Sequence, residues 1–147
     1  MSKPISHRAI LRSAVQAQEV IARAMQDLSA GGYPESHRFA IRLAMDEAIN
    51  NAIKHGNRGD ITKRVTVVYS VTTESFEVTI EDEGLGFDPN AVPDPTDARY
   101  IERPSGRGVM LMRAYMTAVA FEDRGNRVKL VKRRDCSLPA PTSQAAN

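Results

Sequence analysis

The chain has 147 residues, of which 41% are hydrophobic and 26% charged, enough to bury a core within a single soluble domain. Its 20 basic and 18 acidic residues leave a formal net charge of +2, too even a balance to point to nucleic acid as the main partner. One cysteine, Cys136, rules out an internal disulfide and fits a reducing compartment, and no apolar run approaches the roughly 20 residues that cross a membrane.

From the N-terminus, residues 5–12 read as a short strand. Arg8, Arg12, Glu19 and Arg23 break any signal-peptide h-region, so the expected location is cytoplasmic. From Ala14 to Leu28 the apolar positions Val15, Ile21, Ala24, Met25 and Leu28 recur at helical spacing, and Gly31-Gly32 stops the helix. Pro34 stands where a helix can start. A second helix is predicted from about Glu35 to His55, with Ile41, Met45, Ala48, Ile49 and Ala52 on its apolar arc and Gly56 as its C-terminal glycine.

Residues 62–72 and 76–81 alternate apolar and polar side chains, as two strands joined by the short turn Thr73-Glu74-Ser75 do. Residues 84–105 hold Gly84, Gly86, Pro89, Pro93, Pro95 and Pro104 and read as a long functional loop, mobile without ligand. A short helix at about Gly108–Tyr115 follows. Strands at 118–123 and 127–133 flank a turn at Arg124-Gly125-Asn126. Lys132, Arg133 and Arg134 are expected at a solvated strand end. Residues 136–147 are small, polar and proline-containing, as a disordered tail would be, with Cys136 far from any activating base.

The order β-α-α-β-β-loop-α-β-β predicts an α+β two-layer sandwich in residues 1–135, with a mixed, mostly antiparallel sheet and helices on one face. A doubly wound nucleotide fold does not fit, because strands and helices do not alternate. No GxxxxGK[ST] phosphate loop is present.

Three clusters carry chemistry. In the second helix, Glu47, Asn50, Asn51 and Lys54 share a face, with His55 at its edge. The plain reading is a solvated face. Two adjacent asparagines, however, cost roughly half a kcal/mol each relative to alanine inside a helix. The functional reading gives Asn51 an oxygen for a hard cation such as Mg²⁺, Glu47 the task of orienting or deprotonating a nucleophile, and Lys54 a phosphate.

The second cluster runs Ile80-Glu81-Asp82-Glu83-Gly84-Leu85-Gly86. It is either an ordinary strand-ending turn or a base-recognition site. In the latter, Asp82 accepts from the exocyclic amine of adenine, and Gly84 and Gly86 let the backbone approach the flat ring. The third cluster, Ser105-Gly106-Arg107-Gly108, opens a helix. It is either a plain turn or a set of free N–H groups that suit phosphate, with Arg107 and Arg103 as mobile positive charge.

In this order and spacing, Glu-x-x-x-Asn, Asp-x-Gly-x-Gly and Gly-x-Gly resemble the N box and the two glycine boxes of the gyrase, Hsp90, histidine kinase, MutL ATPase superfamily. With the elements between them they span about residues 10–133. Within that superfamily, DEAINNAIKHGN at 46–57 and SGRGVMLM at 105–112 look most like the RsbW-type anti-sigma-factor serine/threonine kinases. The resemblance implies the Bergerat, or histidine-kinase-like, ATPase fold, with ATP and Mg²⁺ as cofactors. It implies Glu47 as catalytic base and Asn51 as metal ligand. It places Lys54, His55, Asp82, Gly84, Gly86, Arg103, Ser105, Gly106, Arg107 and Gly108 around the nucleotide. Arg107 departs from the hydrophobic residue common between the two glycines. The implied partners are a sigma factor and an anti-anti-sigma protein of the STAS fold, with a homodimer expected and no direct contact to nucleic acid or membrane. A sequestration module without catalysis is the alternative, or a detached histidine-kinase catalytic domain, although no helical hairpin here carries a phosphoacceptor histidine.

Overall fold

The computed structural model describes residues 3–84, 106–122 and 125–135. Strand β1 (Ile5–Leu11) leads into helices α1 (Ala14–Ala30) and α2 (Glu35–Asn51), and α2 continues as a π-helical turn, Ala52–Gly56. Strands β2 (Val65–Val71) and β3 (Ser75–Asp82), helix α3 (Gly106–Tyr115) and strands β4 (Ala118–Glu122) and β5 (Arg127–Arg133) follow. The sheet order is β1-β2-β3-β5-β4, and each neighbouring pair is antiparallel. The α+β architecture expected from the sequence is therefore present. Among the described residues no helix is long and apolar enough to cross a membrane.

Period-two alternation decides which sheet face is covered. Val65, Val67, Tyr69 and Val71 of β2, Phe76, Val78 and Ile80 of β3, and Val128 and Leu130 of β5 join one core with α1 and α2. The opposite face carries ion pairs such as Lys129–Glu77 (3.2 Å) and Arg127–Glu122 (3.3 Å), together with exposed Ile10 and Val68. Helix α1 starts at Ser13, whose hydroxyl accepts from the Gln16 amide (3.3 Å). It buries Ala17, Val20, Ile21, Ala24 and Leu28. Val15, expected on the apolar side, is exposed, because at 100° per residue it lies roughly 140–160° around the helix from Ala17 and Val20. Gly32 takes a left-handed φ of +77° in the turn to α2, a conformation glycine adopts without strain.

Two expectations change. The α-helix does not continue to His55; it loosens at Ala52 into a π turn, and the Asn57 amide reaches back to the Ala52 carbonyl (2.8 Å). The helical segment ends at Gly56 as expected, and the turn beyond it takes left-handed φ at Arg58 (+56°) and Gly59 (+71°). The basic run near the chain end is also not a solvated strand end. Lys132 is 1% exposed, and its ammonium donates to the Tyr115 carbonyl at the end of α3 (2.8 Å). Arg134 donates to the carbonyls of Gly31 (2.8 Å) and Gly32 (2.7 Å) and lies over the Tyr33 ring. Of the three, only Arg133 is exposed. Lys132 points inward because it pairs in register with buried Phe76, on the helix-covered face.

Candidate functional site

Helix α2 carries its polar residues on two edges. Glu47 and Asn51, one turn apart, are both partly buried. The Asn51 Nδ2 is buried and, among the described residues, has no hydrogen-bond partner. Such an orphan costs about 1–3 kcal/mol, which is difficult to reconcile with a merely structural asparagine. Asn50, expected on the same face, turns toward α1. Its Nδ2 donates to Asp46 Oδ1 (3.4 Å), which also accepts from Gln18 Nε2 (3.3 Å). A groove of about 300 Å³ on that side is lined by Gln18, Ile21, Phe39, Arg42, Leu43 and Asp46 and shares only Asp46 with the 46–57 segment. Lys54 is exposed and His55 partly buried on the π turn.

The π turn brings the end of this helix onto the end of β3. Asp82 is 9% exposed. Its backbone N–H donates to the Asn126 carbonyl (2.9 Å), and its carbonyl accepts from Asn126 Nδ2 (3.2 Å). The Gly84 amide donates to Asp82 Oδ1 (2.8 Å). A Cβ on Gly56 would overlap the Asp82 carboxyl, and a Cβ on Gly84 would overlap the Gly56 carbonyl. Both glycines are thus required for close approach of one backbone and one carboxyl, not for a left-handed φ.

Burial is the main reason the Asp82 pKa rises to about 6. The Gly84 N–H works against that rise, Glu81 adds to it, and Lys63 opposes it. A buried carboxyl held part-way up the pH scale by its surroundings is a mark of functional sites.

Helix α3 packs against α2. The edge-on contact of Tyr115 with Phe39 (6.3 Å between centroids) fixes its C-terminal end beside the first turns of α2. Its N-terminal end, Gly106 to Gly108, lies roughly 14 Å from that contact along a ten-residue helix. The positive end of a helix dipole suits an anion. From Asn51 to Gly56 the rise is roughly 7 Å, and Glu47 lies about 6 Å further back.

Of the residues singled out in the sequence, the structure brings Asp82 and Gly84 against Gly56 at the end of the π turn, with Glu47 and Asn51 on the helix that leads into it and Gly106 and Gly108 at the start of α3. Gly86, Arg103 and Ser105 lie outside the described residues, as do the side chain of Arg107, the long loop and residues 136–147. Asn57 received no role from its sequence position, although it is 2% exposed and bonded on every side. A polar residue after a helix-ending glycine reads as an ordinary loop, and no local signal marks its burial.

Among the described residues no group of three or more His, Cys, Asp or Glu side chains could cage a metal. An amide oxygen and a carboxylate one turn apart nevertheless fit Mg²⁺, which takes one or two protein oxygens together with phosphate oxygens and waters. What favours this fit is the donor set itself, an amide oxygen and a carboxylate on adjacent turns of one helix; the partnerless Asn51 atom is the amide nitrogen, a donor that a cation does not use.

The model of the histidine kinase-like ATPase domain family matches residues 10–132. The chain is 30% identical over 89 residues to the serine/threonine-protein kinase BtrW of Bordetella bronchiseptica, covering 59% of this chain and 63% of that protein. It is 28% identical over 100 residues to an anti-sigma F factor of Clostridium perfringens, covering 63% and 70% of the two chains. It is 28% identical over 99 residues to the serine-protein kinase RsbW of Listeria monocytogenes, covering 63% of each. The chain thus spans just under two thirds of the two kinases. A crystal structure of the RsbU and RsbW domains of a Mycobacterium tuberculosis protein superposes with a TM-score of 0.62 at 16% identity, covering 95% of this chain and 34% of that one. That match shows a shared fold.

Proposed function

The chain belongs to the histidine kinase-like ATPase domain family, and from that premise we propose that it is an ATP-dependent serine/threonine protein kinase acting as an anti-sigma factor. It phosphorylates an anti-anti-sigma partner of the STAS fold and otherwise sequesters a sigma factor. The similarity to proteins named as kinases and as anti-sigma F factors supports this reading. The observation that carries it is the buried Asp82 carboxyl packed against Gly56, at the end of the helix that bears Glu47 and Asn51. Residues 1–135 form the working unit. A cytoplasmic homodimer without direct contact to nucleic acid or membrane belongs to the same proposal.

In this reading Asp82 accepts from the adenine amine, and Gly84 and Gly86 admit the ring. Lys54, His55, Arg103, Ser105, Gly106, Arg107 and Gly108 surround the phosphates. Mg²⁺, when bound, neutralises charge on the β- and γ-phosphates, and Asn51 is the protein oxygen that holds it. Glu47 takes the proton of the acceptor hydroxyl as its oxygen bonds to the γ-phosphorus. The bond from that phosphorus to the β–γ bridging oxygen breaks, and ADP leaves with the electron pair. Positioning and charge neutralisation supply most of the acceleration in such transfers.

The test is incubation with γ-labelled ATP, Mg²⁺ and a soluble extract of the source cells. Label is expected on a small protein at serine or threonine. Glu47→Ala is expected to keep nucleotide affinity while losing transfer by about 100-fold or more. Asn51→Ala is expected to lose Mg²⁺-dependent binding and transfer together. Nucleotide binding without any transferred label would favour the sequestration module instead, and acid-labile label on histidine would favour a detached histidine-kinase catalytic domain.

A further inference from the structure

Asn57 ties three separate segments together. Its backbone N–H closes the π turn on the Ala52 carbonyl (2.8 Å), and its carbonyl accepts from the Asp60 amide (3.0 Å). Its side-chain Nδ2 donates to the Arg64 carbonyl just before β2 (3.0 Å). Its Oδ1 accepts from the Glu83 amide just after β3 (2.8 Å). The Glu83 carboxyl is held in turn by the Arg64 amide and guanidinium. The two residues flanking Glu83 are Asp82 and Gly84, joined by the 2.8 Å bond from the Gly84 amide to Oδ1. The clamp on Glu83 therefore holds the middle peptide of the turn that sets which carboxyl oxygen of Asp82 is already engaged. Gly56, next to Asn57, packs bare against that same carboxyl.

We propose that Asn57 is a positioning residue for base recognition. It fixes the 82–84 turn so that the Gly84 amide occupies Oδ1 of Asp82 and leaves Oδ2 as the acceptor for a purine 6-amino group, which selects adenine over guanine. The inference rests on the reading of Asp82 as the base acceptor. A 6-oxo purine presents an acceptor and a ring N–H in place of the amine, so its fit depends on how firmly the carboxyl is held. Release of the clamp lets the Gly84 amide leave Oδ1. That has two consequences: discrimination between bases falls, and the carboxyl loses the hydrogen bond that favours its ionised form. The charged groups acting on Asp82 are Glu81 on its own strand and Lys63 on the loop before β2. Lys54 and His55 occupy the two positions before Gly56, and none of these groups is altered by a change at Asn57.

The experiment measures ADP and GDP affinity from pH 5 to 8 for the native chain, Asn57→Ala and Asn57→Asp. In the native chain ADP is preferred, and its affinity declines below a midpoint near 6, the value set at Asp82. In Asn57→Ala the ADP/GDP preference is expected to fall about tenfold, the worth of one hydrogen bond to a charged acceptor, and the pH midpoint to move upward. Asn57→Asp keeps an acceptor for the Glu83 amide and is expected to retain more of the preference. It remains informative if the alanine variant does not fold. A native chain with no adenine preference overturns the site reading and this inference with it. A native preference that persists unchanged in Asn57→Ala, or that falls equally in the aspartate variant, overturns the inference alone.

Discussion

Asp82 shows at a single residue how a buried carboxyl opposes stability. Its pKa rises from 3.8 unfolded to about 6 folded, so the folded chain holds the proton more tightly than the unfolded chain. The penalty for ionising it is absent below pH 4 and complete above the folded value. Two units correspond to roughly 3 kcal/mol. Asp82→Asn is therefore expected to raise the unfolding free energy of the ligand-free protein by about 1–3 kcal/mol at pH 7.5. That gain should shrink toward zero near pH 4, as denaturant unfolding at the two pH values would show, and nucleotide binding should be lost. In the native protein, adenine nucleotide affinity should be flat above pH 7 and fall about tenfold per unit well below 6, measurable by titration calorimetry. Asp82 stood out in the sequence as an acid at a strand end followed by glycines. Its neighbour in space, Asn57, was not, because no local pattern reveals that a loop amide will be buried between segments far apart in sequence.

At the scale of elements, the strands were legible because Val65 to Val71 and Phe76 to Ile80 alternate cleanly, and α1 because its apolar spacing repeats. The π turn was not legible. Ala52 and Ile53 continue the helical pattern, and the loosening answers to the Asp82 carboxyl against Gly56, a tertiary demand. The long helix also separates stability from binding. Arg134 staples the Gly31-Gly32 turn at the start of α2, whereas the candidate site lies at its other end, about 25 Å along 17 residues. Arg134→Ala loses two hydrogen bonds to carbonyls and a cation–π contact with Tyr33. It is expected to destabilise the fold by about 2–3 kcal/mol in denaturant unfolding while leaving nucleotide affinity unchanged. Tyr69 makes a comparable tie in the core, its hydroxyl donating to Asp27 of α1 (2.6 Å).

At the scale of the whole molecule, element order followed from the sequence but strand order did not, because the β3–β5 pairing joins residues on either side of the 85–105 segment and leaves no local trace. That pairing places β3 in the middle of the sheet, bonded to β2 and β5. Its amides are expected to be the slowest to exchange with deuterium and those of edge strands β1 and β4 to exchange sooner, as residue-resolved exchange would show. The same seam divides the protein into two blocks, 5–84 and 106–133, that meet along the ladder from Ser75↔Arg133 to Glu81↔Arg127 and where α2 packs on α3. It passes through the candidate site. Asp82 sits on one block with its backbone gripped by Asn126 of the other. Two fragments cut within 85–105 should therefore reassemble by strand complementation, and a nucleotide that touches both halves should tighten their association, making the chain a natural candidate for a split reporter of its own ligand.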